Sequence, residues 1–146
     1  MLPILLIASL ATIQFGIALV VSQAVTHAAT VGAREAAKMA DTGGVGVDMD
    51  ELVCVVESVL GTHGITIGTD ASVVLEDPTG SNPIEQRGTL VCNPPSTPVP
   101  QSSEVRVTVC VDLGKKPFLN CLTVFGLDFS GRRFTASSLL RKEIAG

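Results

Sequence analysis

Four cysteines and two histidines offer most of the chemistry in this chain: Cys54, Cys92, Cys110, Cys121, His27 and His63. Zinc-binding thiols come in close pairs of the CxxC kind, and the spacings here are wide and irregular. An even number of cysteines in a small exported domain reads instead as two disulfides, for which three connectivities exist; free buried thiols are the alternative. His27 lies in an Ala-rich stretch and His63 in a Gly-rich turn. Neither belongs to a motif for nucleophilic or metal catalysis, so both are expected to be structural or solvent-facing. The acidic run Asp48-Met49-Asp50-Glu51 lacks the other ligands of a calcium loop. It fits a capping box better, with Asp48 as N-cap and Glu51 three residues on. The pairs Lys115-Lys116 and Arg132-Arg133 stand beside turns and are expected to be solvated; contact with acidic residues of a neighbouring subunit is the alternative. No Gly-rich loop leads from a strand into a helix, so a phosphate cradle lacks its context. A net charge of −4, no Trp, no Tyr and five Phe argue against a nucleic-acid partner. No cofactor, metal or catalytic centre is expected, and the chain does not read as an enzyme.

The elements that carry these residues differ sharply in composition. No Asp, Glu, Lys or Arg precedes Arg34. Residues 2–21 form an uncharged apolar run of about the length that spans a hydrocarbon layer, roughly 20 helical residues. Pro3 is tolerated in a first turn, where the backbone N–H has no intrahelical use. Residues 22–41 are Ala-rich and continue to the stop signal Thr42-Gly43-Gly44. The expectation is one helix of about 38 residues, on the order of 57 Å long, half in lipid and half clear of it. Small residues recur along it at Ala8, Thr12 and Gly16 and, beyond Val20, at Ala24, Ala28, Gly32, Ala36 and Ala40. Such a row lets neighbouring helices approach closely, so these eight are the expected helix-packing positions between subunits. On that reading, Gly32→Leu or Ala28→Leu should abolish assembly and leave the head folded. The plainer readings are an ordinary Ala-rich signal-anchor and a cleaved secretory signal. Against the latter, the run is long for an h-region and no basic n-region precedes it.

Two domains are expected: a transmembrane or filament-core helix over 1–41 and an exported head over 42–146. In the head, Leu52, Val55, Val56, Val59 and Leu60 share one face of a short helix, with Cys54 on the opposite side. Residues 65–67 and 71–76 read as a bent strand or hairpin. The segment 77–104 holds six prolines; only 89–92 has the pattern of a strand, and the rest is expected to be surface loop that tolerates small insertions. Val105, Val107, Val109 and Val111 alternate with polar residues, a half-buried strand with Cys110 pointing away from the valines. A last strand follows Gly131 to about Arg141. The fold class is α+β: a long helix, and a short helix packed on a small antiparallel sheet. A bridge between Cys110 and Cys121 would close a short loop across a turn, leaving Cys54 to join Cys92. This is the expected pairing, with the other two connectivities open.

Residues 2–40, LPILLIASLATIQFGIALVVSQAVTHAATVGAREAAKMA, resemble the N-terminal helix of TadE-like pilins, minor subunits of the tight-adherence branch of type IV pili. The matching features are the Leu-Pro start, Gln14-Phe15-Gly16, and Ala33-Arg34-Glu35-Ala36-Ala37. The Val-rich strand and the closing FTASSLLRKE, 134–143, resemble that family's last two strands. The resemblance implies a structural subunit of a tight-adherence pilus, its helix in the filament core and its head outside for adhesion. Its partners would be other pilin subunits and, before assembly, the inner membrane and the assembly machinery. Family members carry a basic leader, a glycine at the processing site and a glutamate upstream of the Leu-Pro. Here Met1 directly precedes that dipeptide, which is expected of a processed chain, a start set late, or a subunit outside leader processing. The competing functional reading is a lone membrane-anchored extracytoplasmic binding domain that uses its Pro-rich segment.

Overall fold

The computed structural model describes residues 2–40, 46–114 and 131–143. The stop signal at 42–44, Lys115-Lys116 and Cys121 lie outside them. The first element, α1 (Leu2–Met39), is a single unbroken helix of 38 residues, as its composition requires. The second, α2 (Met49–Gly61), starts where expected: the Asp48 carboxylate accepts from the Asp50 and Glu51 N–H groups at 2.9 and 3.4 Å. Capping at this position satisfies donors that the first turn leaves without intrahelical partners.

Four strands follow: β1 (Ala71–Glu76), β2 (Ile84–Arg87), β3 (Glu104–Asp112) and β4 (Arg133–Arg141). They form one antiparallel sheet in the order β2-β1-β3-β4. The architecture is α+β, and a long helix, a short helix and a four-stranded antiparallel sheet fit the pilin-like description. Two expectations about 77–104 are corrected. The strand is Ile84–Arg87, an exposed edge strand, whereas 89–92 is irregular. Gly88 sets the turn between them with φ of +106°, and a Cβ there would come within 2.6 Å of the Ala71 carbonyl oxygen, so only glycine fits.

One face of the sheet carries Val73 and Leu75 from β1, Val105, Val107, Val109 and Val111 from β3, and Phe134, Ala136 and Leu140 from β4. The second half of α1 and the Leu52, Val56 and Leu60 face of α2 pack on it to form the main core. The alternate residues of β3 were expected to face water, but Arg106, Thr108 and Cys110 are buried too. The Pro-rich segment covers them, so β3 is interior on both sides. Leu90 and Cys92 pack against Val74 and Cys110, and Arg106 Nη1 donates to the Pro98 carbonyl at 2.6 Å. The segment is therefore pinned at several points along its length, although most of its side chains are exposed.

Close packing of α1 into the head explains part of the small-residue row. Ala24, Ala28 and Ala36 are buried within this one chain, and a Cβ on Gly32 would meet Val56 Cγ2 at 2.8 Å and Val107 Cγ1 at 3.3 Å. These four positions serve the chain's own core, not contact between subunits. The expected outcome of Gly32→Leu changes with it: the head itself should lose about 1–3 kcal/mol through overpacking. Thermal unfolding of the detergent-solubilised chain, followed by circular dichroism, would register this as a midpoint lower by several degrees. An unchanged midpoint would rule the packing out.

Candidate membrane anchor and assembly surface

The two halves of α1 have opposite environments. From Val21 to Ala37 the inward positions Val21, Ala24, Val25, Ala28, Ala29, Ala33, Ala36 and Ala37 are buried in the head. Toward the N-terminus, Ile4, Leu5, Leu6, Ile13, Phe15, Leu19 and Val20 are exposed. Among the described residues this is the one helix long and apolar enough to cross a membrane, with mean hydropathy reaching 2.5. An apolar surface of that extent on one helix marks contact with lipid or with other helices. Its few hydroxyls suit such a medium. Ser9 Oγ donates to the Leu6 carbonyl and Thr12 Oγ1 to the Ala8 carbonyl, each at 2.8 Å, so neither presents an unpaired donor to lipid.

On this exposed half lie Ala8, Thr12 and Gly16, the part of the small-residue row open to a neighbour. A Cβ added to Gly16 would meet nothing within 4 Å, so the helix surface there is open. Ala40, at the other end of the row, is half-buried.

The cysteines are arranged differently from expectation. Cys92 bonds to Cys110, with Cα atoms 5.7 Å apart, a separation ordinary for a disulfide. Cys54 is a free, exposed thiol. The pairings Cys54–Cys92 and Cys110–Cys121 are thereby overturned. The physical reason is the layer order: Cys54 stands on the outer side of α2, on the helical layer, whereas Cys92 and Cys110 meet on the opposite face of the sheet. Among the described residues, nothing joins those two layers at Cys54. His27 and His63 are, respectively, exposed and half-buried. Arg133 donates from Nη1 to the Val91 carbonyl at 2.8 Å, holding the covering segment to β4.

Two ion pairs that sequence reasoning missed lock the head together. Glu76 and Arg106 are direct cross-strand partners and form a bidentate pair on the covered face, Arg106 Nη2 donating to Glu76 Oε1 at 2.7 Å. The available signal was the charge pair itself, one residue ending β1 and the other opening the valine strand. At the head's other joint, Lys142 Nζ donates to Asp77 Oδ1 at 2.6 Å and to the Thr79 hydroxyl, tying the residue after β4 to the β1–β2 turn. Burial alone would raise the Asp77 carboxyl, but the bonds from Lys142 and Thr79 outweigh it and hold it below its ordinary value of 3.8. A carboxylate whose folded pKa is depressed stabilises the fold above its unfolded pKa, and that contribution is lost as pH falls through the folded pKa. Asp77→Asn should therefore be less stable than the parent at neutral pH, with the gap closing below about pH 4. Denaturant midpoints of the two proteins across pH 2.5–7 would check this; a gap that persists at the acid end would contradict it.

Among the described residues, no group of three or more His, Cys, Asp or Glu is placed to hold a metal ion. Residues 1–34 match the family model described as TadE-like protein. The chain is TadE-like at its N-terminus. The match covers the exposed half of α1 and runs on into the part that enters the head. No curated protein and no solved structure matches the chain significantly. The TadE-like, pilin-type family is structural in character rather than catalytic, and it is associated with the tight-adherence pilus. The N-terminal apolar helix suits membrane anchoring.

Proposed function

We propose that this TadE-like chain is a structural subunit of a tight-adherence, type IV-like pilus. It is held in the membrane by the first half of α1 and assembled with other pilin subunits through that same half, with the head displayed outside for adhesion. The observation that supports this most is the division of one unbroken helix. An uncharged, largely exposed stretch over residues 3–20 extends from a head that is built around the rest of the helix, and the family match, residues 1–34, begins on that stretch and runs on into the head. A helix so divided exchanges lipid for neighbouring helices without disturbing the head. Ala8, Thr12 and Gly16 are the positions at which neighbours would approach closely. Electron microscopy of filaments sheared from the cell surface, with mass spectrometry of their protein, tests the proposal. The chain should be found in the filaments. Recovery in the membrane fraction alone, with normal filaments lacking it, would favour the lone anchored binding domain.

A further inference from the structure

Where α1 passes from its exposed half into the head, a groove of about 410 Å³ is lined by Ile13, Gly16, Ile17, Val20 and Val21, with His63 as its single polar residue. Its depth is set by the helix. Residues 3–21 rise on the order of 28 Å, close to the thickness of a hydrocarbon layer, so a helix that crosses the layer from Pro3 would bring Val20 and Val21 to the boundary between acyl chains and headgroups. His63 is brought to that boundary by the turn closing α2. There its backbone N–H already donates to the Leu60 carbonyl at 2.9 Å, leaving the imidazole as the group offered at the groove. Gly16 leaves the groove floor open, since a Cβ there would meet nothing within 4 Å.

We propose that this groove seats one membrane phospholipid from the leaflet on the head's side. An acyl chain would lie along Ile13, Gly16, Ile17 and Val20, and the phosphate would accept a hydrogen bond from the His63 ring. The groove is continuous with the helix surface assigned to lipid, and its one polar group stands at headgroup depth; an apolar channel ending in a single donor matches that ligand. A neighbouring α1 would match the apolar walls but leave the imidazole without a partner. The inference rests on the membrane-anchor reading and adds a specific lipid seat to it. In the pilus the seat belongs to the subunit before assembly.

The full chain in non-ionic detergent, titrated with diheptanoyl-phosphatidylglycerol and followed by methyl NMR of Ile13, Ile17, Val20 and Val21, tests the seat. Saturable shifts are expected, with binding weakened about tenfold in His63→Ala and abolished in Gly16→Leu, which fills the groove. Flotation with phosphatidylglycerol vesicles separates the two claims. If all three proteins float but the titration is unsaturable, or equal in parent and variants, the seat is overturned and the anchor stands. Intersubunit contacts from a second α1 that fill the groove of the detergent-solubilised, unassembled chain and persist on adding the lipid would overturn it likewise. Failure of the parent to float would overturn both.

Discussion

Glu76→Ala should destabilise the head by about 3–5 kcal/mol, a large share of the whole stability of a domain this size. The pair it breaks is buried: Arg106 is 3% exposed and Glu76 8%. Removing the carboxylate leaves a guanidinium out of water with the Pro98 carbonyl as its remaining acceptor among the described residues. The energetic weight lies in the stranded charge, since a buried pair recovers little more than its own desolvation. Replacing both partners, as in Glu76→Met with Arg106→Met, should therefore cost far less than either single change. Urea denaturation of the parent, both single variants and the double variant provides the cycle. Additive losses would show that the two side chains are not coupled. A loss below about 1 kcal/mol for Glu76→Ala would show that the site is wet.

Loss of the Cys92–Cys110 bridge should cost about 3 kcal/mol. The bridged residues are 18 apart in sequence, and the chain-entropy model gives a value of that order for such a loop. The consequence is local as well as global. With the bridge gone, the segment over the second sheet face is held by Leu90, Gln86 Nε2 donating to the Leu90 carbonyl, Arg133 on the Val91 carbonyl, and Arg106 on Pro98. Cys92→Ser with Cys110→Ser should lower the denaturant midpoint, and reduction of the parent should do the same. Cys54→Ser, on an exposed site, should change stability by no more than about 0.5 kcal/mol. A parent whose midpoint is indifferent to reductant, or peptide mapping that links Cys54, would contradict the assignment.

Much of this fold is legible in the sequence because local rules agree. The uncharged run and the Ala-rich run share one helical period, so α1 reads through to its end. Asp48 and Glu51 mark the start of α2, and the alternating valines mark β3. Three features were not legible, each for a physical reason. The strand Ile84–Arg87 is short, polar and at the sheet edge, so no buried face imposes a period on it. The cysteine pairing depends on which layer each thiol occupies. Strand alternation places Cys110 on the face away from the helices, but sequence does not say that the Pro-rich segment folds back over that face. The row of small residues is visible from Ala8 to Ala40, yet periodicity alone cannot divide it between the chain's own core and a neighbour. Only the position of the head along the helix makes that division, and it falls between Gly16 and Ala24.

That division gives the most direct test of the assembly proposal. In a Cys54→Ser, Cys121→Ser background, single cysteines are introduced as Thr12→Cys, on the exposed half of α1, or Ala28→Cys, sealed inside the head. Mild oxidation of intact cells should then yield disulfide-linked subunit pairs from Thr12→Cys and none from Ala28→Cys. Crosslinking through Ala28→Cys, or cells bearing normal filaments in which Thr12→Cys yields no linked subunits, would contradict the account.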